Sequence, residues 1–328
     1  LILFLLASFS IKAQDDTIKN IITEATENSH LEILAHELLD IVGPRLTGTP
    51  QMRNAHDWAV QRYADWGINA KIHEWGEWDG WERGITHIDM ISPRVRTLSG
   101  IQLGYSPSTS LKGITGALDV IPEVKNKDEF NAWLKTIKGK FILSSMYQIT
   151  GRPDYNWEEY ATPESFKKMK ETRSEATRKW NSNFRKMGIN RRQISKILED
   201  AGAIGLLSSN WAGGFGANRI FSTGTKTIPH LDIELEDYSM LYRMVESGTG
   251  PEIRVVSTSK DLGIVPTFNT LAEIKGVEKP DEYVILSAHF DSWDGATGAT
   301  DNGTGTIVMM EAMSCLLYTS DAADDLRG

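Results

Sequence analysis

Cysteine is almost absent from this chain of 328 residues: Cys315 stands alone. A single thiol excludes an intrachain disulfide and any cysteine-rich zinc centre. A metal site here must be built from His, Asp and Glu, a ligand set that suits a hydrolytic ion better than a structural one. Positive charge is also in deficit, with 35 Lys and Arg against 44 Asp and Glu, a net charge of −9. That balance argues against nucleic-acid or anionic-membrane binding. Long apolar runs are missing, apart from the start, "LILFLLASFSIKAQDD". That run is too short for a transmembrane helix, and nothing comparable follows. It reads as the back half of a secretory signal peptide without its charged start, ending near residue 14. A buried N-terminal helix is the alternative.

The remainder has ordinary globular composition, 40% apolar and 24% charged, enough for one large or two medium domains. Ser29 and Glu32 form a capping-box pattern, and Leu31, Leu34, Ala35, Leu38 and Val42 share one helical face until Gly43-Pro44 stops the helix. The loop "PRLTGTP" follows, then a second helix over 51–66 with Ala55, Trp58, Ala59, Tyr63 and Trp66 on one stripe. Gly67 ends it, and "NAKIHEW" has strand character. Trp75, Trp78 and Trp81 recur at a spacing of three, and packing in the core outweighs a binding platform as their role.

From about 100 to 257 the texture changes to short strands, "GALDVI", "KFILSS", "AIGLLSS" and "IRVVS", around a polar insertion. Within 167–192 lie ten Lys and Arg against two Glu; without interleaved aromatics this reads as a solvated helix, not a nucleic-acid patch. A larger α/β texture resumes near 258, so the middle block reads as an inserted domain. The segments are thus a leader remnant at 1–14, a first part of the main domain at 15–99, the insertion at 100–257 and a second part at 258–314. Residues 315–328, "CLLYTSDAADDLRG", lose the preceding pattern and read as a foreign tail.

The chemistry concentrates in "PDEYVILSAHFDSWDGATGATDNGTG", residues 280–305. Val284 to Ala288 is continuously apolar and reads as a central strand buried on both faces. Ligands bind at the carboxyl ends of such strands, which is where His289 falls. A neutral imidazole is a good zinc ligand, and Asp291 is spaced to accept its other ring N–H. Asp301 offers a hard carboxylate, suited to bridging two metals. Gly295, Gly298, Gly303 and Gly305 let the backbone turn sharply, and Asn302-Gly303 leads into a helix. Alone, His-x-Asp or Asp-Asn-Gly is a weak signal; the conjunction favours a metal site.

"SAHFDSWDGATGATDNGTGTIVMMEA" resembles the co-catalytic zinc exopeptidase family that includes aminopeptidase S, aminopeptidase Y and carboxypeptidase Q. "VGPRLTGTPQMRNAHDWAVQRYADWGI" looks like that family's opening, and "EDAGAIGLLSS" with "IPHLDIELEDYSMLYRMVESG" resembles its inserted protease-associated (PA) domain. The resemblance covers about 29–314. It implies a three-layer αβα fold around a mixed central sheet, incomplete here, with a β-rich PA insertion. It also implies two Zn2+ ions, with His289 a ligand, Asp301 the bridge, Asp291 the carboxylate orienting His289, and a cis peptide after Asp301. Further expected groups, a Glu-Glu pair, an Asp and a final His, have no match, and Glu311 falls in a Glu-Ala position outside the site. The implied activity is hydrolysis of terminal peptide bonds in small peptides, with this chain by itself inactive. The implied setting is an exported, periplasmic or extracellular protein, free of membrane after leader removal and compatible with a homodimer. Two alternatives stay open: a metal-free receptor-like homologue, and a glutaminyl-cyclase-like enzyme with one zinc.

Overall fold

The computed structural model describes residues 18–216 and 220–319. The leader reading at 1–14 and the last nine residues of the expected tail lie outside the described residues. The chain divides into two compact units, one formed by 1–80 and 263–328 and the other by 81–262. The divisions fall inside two long strands, β1 (Asn69–Ser92) and β8 (Glu252–Glu273).

The continuous unit, 81–262, holds an eight-stranded mixed sheet in the order β2-β1-β8-β4-β5-β6-β7-β3. The remaining strands are β2 (Arg96–Thr97), β3 (Gly100–Gln102), β4 (Ile114–Val120), β5 (Phe141–Leu143), β6 (Gly205–Ser208) and β7 (His230–Ile233). Strands β4, β5, β6 and β7 pair in parallel, while β3 and β8 close on them antiparallel. Parallel neighbours require crossovers: helix α3 (Lys127–Leu134) leads from β4 to β5, and helices α4 (Asp154–Tyr160), α5 (Pro163–Met187) and α6 (Ile194–Asp200) lead from β5 to β6, while α7 (Leu235–Glu246) leads from β7 to β8. Both faces are covered. Leu143, Leu207 and Leu231 pack with Tyr238 and Leu241 on one side, and Ile142 and Leu206 pack with Phe130, Phe184 and Leu198 on the other. This explains why the short strands read as unbroken apolar runs. The basic stretch is the exposed side of α5, whose buried residues are Met169, Asn183, Phe184 and Met187.

In the discontinuous unit a helical segment over 18–27 precedes α1 (Leu31–Ala35), which continues as a π-helical turn over His36–Val42 to Gly43. The N-cap is His30, not Ser29. Ser29 Oγ accepts only from the Leu31 N–H at 3.3 Å, and the His30 N–H donates to both carboxylate oxygens of Glu311, at 3.0 and 3.1 Å. A tertiary carboxylate thus takes the capping role that the local sequence assigned to Ser29 and Glu32. Helix α2 (Pro50–Asp65) starts from Thr49, which accepts from the Met52 N–H, with Pro50 in the first turn where a missing N–H costs nothing. Its buried residues, Ala55, His56, Ala59 and Tyr63, are spaced for one face. Ala55, Ala59 and Tyr63 pack with Leu34, Leu38, Ile68, Ile307, Met310 and Leu317, the last three from α8 (Thr304–Thr319).

Two expectations are corrected. The run 284–288 is not a buried strand. It joins no ladder among the described residues, and Val284, Ile285 and Leu286 are 94%, 83% and 42% exposed. Apolar content marks a segment that could be buried, but a strand exists only where neighbours satisfy its N–H and C=O groups. The tryptophans do not share a core either: Trp81 is buried, whereas Trp75 and Trp78 are 55% and 48% exposed. All three lie on β1, where a spacing of three puts successive side chains on opposite faces. Helix α8 continues past residue 314 to Thr319, with Cys315 and Leu317 buried.

Candidate metal centre

The segment after the exposed apolar run carries His289, Asp291 and Asp301, and the fold brings all three together. His289 Nδ1 lies 3.2 Å from Asp291 Oδ1, and Nε2 lies 2.9 Å from Asp301 Oδ1. The imidazole therefore sits between two carboxylates, one at each nitrogen. All three side chains are about half exposed or more, at 53%, 51% and 69%, so an ion can reach them from solvent. Among the described residues, no group of three or more His, Cys, Asp or Glu side chains is placed to hold an ion.

The Asp301–Asn302 peptide is cis, and both residues depart from helical geometry inside the turn Ala299–Gly303. Asn302 Nδ2 and Thr306 Oγ1 both approach the His289 carbonyl, at 3.5 and 3.4 Å. Gly298 has a φ of +68°, and a Cβ there would stand 2.3 Å from Ser292 Cβ. The glycine is required on both counts. Gly303 donates its N–H to the Gly298 carbonyl at 2.7 Å, which closes the turn that presents Asp301.

Sequence reasoning missed Arg45, which it left inside a loop. Its side chain is fully buried and donates to the carbonyls of Gly43, Phe290, Thr297 and Gly298. Burial pulls the guanidinium down to about 10, opposed by the negative charge of Asp291. The only local signal was an arginine between Pro44 and Leu46, in a stretch otherwise short of charge. His56, on α2, was likewise not singled out by the sequence. It is buried, with Nδ1 at 2.8 Å from Thr270 Oγ1 and its ring edge on Phe290 at 5.1 Å. A hollow of about 410 Å³ lined by Leu31, Leu286, Val308, Glu311 and Cys315 includes none of the three site residues.

An imidazole nitrogen facing a carboxylate oxygen, with a second carboxylate behind the ring, is a donor set that fits zinc. The chain is also similar to known proteins over most of its length. Residues 269–325 match Peptidase family M28. Carboxypeptidase Q of Pongo abelii is 27% identical over 310 residues, 93% of this chain and 59% of that protein. The chain therefore spans little more than half of this relative's length. Among solved structures, a peptidase M28 precursor from Shewanella amazonensis superposes with a TM-score of 0.60 at 21% identity, over 93% of this chain and 63% of that one. BSAP, a zinc aminopeptidase from Bacillus subtilis, gives 0.52 at 18% identity, over 88% and 57%. Segment match, alignment and fold agree in likening this chain to the peptidases of family M28.

Proposed function

We propose that His289 and Asp301 form one half of a dinuclear zinc centre that hydrolyses terminal peptide bonds of small peptides. The observation that carries the reading is the 2.9 Å approach of His289 Nε2 to Asp301 Oδ1, with Asp291 at the opposite nitrogen. Bound zinc would polarise the scissile carbonyl and acidify a water. Asp291 accepts the Nδ1–H and so fixes the tautomer that leaves Nε2 free to coordinate. Asp301, presented from the turn Ala299–Gly303, would supply the carboxylate of the pair that holds zinc. The names of the relatives, a carboxypeptidase and a zinc aminopeptidase, support an exopeptidase. The unit 81–262 is read as the PA insertion expected at 100–257. The leader pattern at 1–14 supports export to the periplasm or exterior, and no described helix is long and apolar enough to cross a membrane.

Among the described residues, His289 and Asp301 are the two ligands offered to zinc, and no group of three His, Cys, Asp or Glu is placed to hold an ion. Weak zinc binding and no detectable peptide hydrolysis are expected of this chain alone. The test is zinc titration of the metal-stripped protein, alongside assays with aminoacyl, dipeptide and N-terminal Gln substrates. Zinc binding that His289→Ala and Asp301→Ala each abolish is the expected result. A chain that binds no zinc, or binds it equally well without both side chains, overturns the reading.

A further inference from the structure

Arg45 is a cation buried next to a site meant for cations, and it has no ion-pair partner of its own among the contacts resolved around it. A guanidinium leaves water only when its N–H groups are matched in place. Here they are matched by backbone. Nε donates to Phe290 O at 3.0 Å, Nη1 to Gly43 O at 2.8 Å and Thr297 O at 2.9 Å, and Nη2 to Gly298 O at 3.2 Å. The main chain adds two more links: the Arg45 N–H donates to Ser292 Oγ at 2.9 Å, and the Ser292 N–H donates to Arg45 O at 3.0 Å.

The four carbonyls are not a random sample. Phe290 lies between His289 and Asp291. Thr297 and Gly298 lead into the turn that carries Asp301. The Gly298 oxygen also accepts from the Gly303 N–H at 2.7 Å, so one atom joins the guanidinium to the far side of the Asp301 turn. One planar group thus ties the stretch bearing the imidazole to the stretch bearing the carboxylate.

We propose that Arg45 is a positioning residue: it sets the separation of His289 Nε2 and Asp301 Oδ1 before any ion arrives, so the half-site is pre-formed in the metal-free chain. This rests on the zinc reading above. The fork geometry is essential, because a lysine carries the charge but cannot reach carbonyls spread around a plane.

The experiment compares Arg45→Lys and Arg45→Met with wild type and with Leu34→Ala, a cavity variant in the core of the same unit. Zinc affinity is measured by competition at a temperature where all are folded by circular dichroism. Amide hydrogen exchange over 290–303 is measured without metal. A pre-forming role predicts at least about a tenfold loss of zinc affinity and faster exchange over 290–303 in both Arg45 variants. Leu34→Ala lowers the melting temperature but keeps its affinity within about twofold. Should the Arg45 variants not fold, Ser292→Ala removes one acceptor only, and a measurable loss of affinity is expected from it too. Wild-type zinc binding that all these variants retain overturns the inference while leaving the zinc reading intact. Equal loss in Leu34→Ala overturns it as well, because general destabilisation then explains the effect. A wild-type chain that binds no zinc removes both.

Discussion

Asp291 and Asp232 show two opposite uses of a carboxylate. Asp291 is half exposed and faces a ring nitrogen at 3.2 Å. Asp291→Asn should weaken zinc binding by about 10–100-fold without loss of fold, as read by competition titration. Asp232 is buried in the sheet of the continuous unit. One oxygen accepts from Ser208 and twice from Asn210, while the other has no partner. Burial raises its pKa to about 6, and the hydrogen bonds from Asn210 and Ser208 oppose the rise. A folded pKa above the unfolded value favours folding at low pH, and that contribution is lost as pH rises from about 4 through 6. Asp232→Asn should therefore stabilise the unit at pH 7 by about 1–3 kcal/mol, with the gain vanishing below about pH 4 in urea titrations. His56 has the opposite sign. Burial, helped by the charge of Arg53 and opposed by that of Asp57, lowers it to about 4. Its neutral form contributes stability above about pH 6.5, and this is lost as pH falls toward 4. His56→Gln should flatten the acid limb of the stability profile by up to about 3 kcal/mol. Sequence showed His289, Asp291 and Asp301 because their spacing is local. Arg45 stayed hidden because its partners are 245 to 253 residues away, apart from Gly43.

Elements with a helical period were legible in outline. Helix α2 was expected over 51–66 and lies at Pro50–Asp65, because its apolar stripe, Pro50 and Gly67 all point to the same boundaries. Strand β1 was not legible as one element. Its 24 residues carry five Gly and Trp positions between 75 and 81 that look like a turn, and only pairing keeps them extended. The segment 284–288 fails in the other direction, apolar by sequence but unpaired. Exposed, unpaired and apolar, it is a self-association hazard. Ile285→Lys should delay the onset of light scattering on heating while leaving the melting temperature unchanged, since Ile285 is 83% exposed.

At the scale of the whole molecule, the change of texture near residue 100 was visible, but the compact unit spans 81–262. Composition changes where helices and loops change, whereas the unit boundary lies within strands that look alike on either side. Two core clusters lie wholly inside 81–262, and Lys260 pairs with Glu82 at 2.9 Å near its two ends. Residues 81–262 expressed alone should melt in one cooperative transition by calorimetry; a broad, non-cooperative trace would show that the unit depends on the rest. The link between His30 and Glu311 sets an order in time. The partners are 281 residues apart, so at about 5–20 residues per second the ribosome needs roughly 15–55 s to deliver the second after the first. During that interval α1 lacks this partner, while the segment 81–262 is completed before Glu311 is made. Nascent chains arrested before α8 should resist protease only over that middle segment, leaving the opening helices to wait for the chain to return.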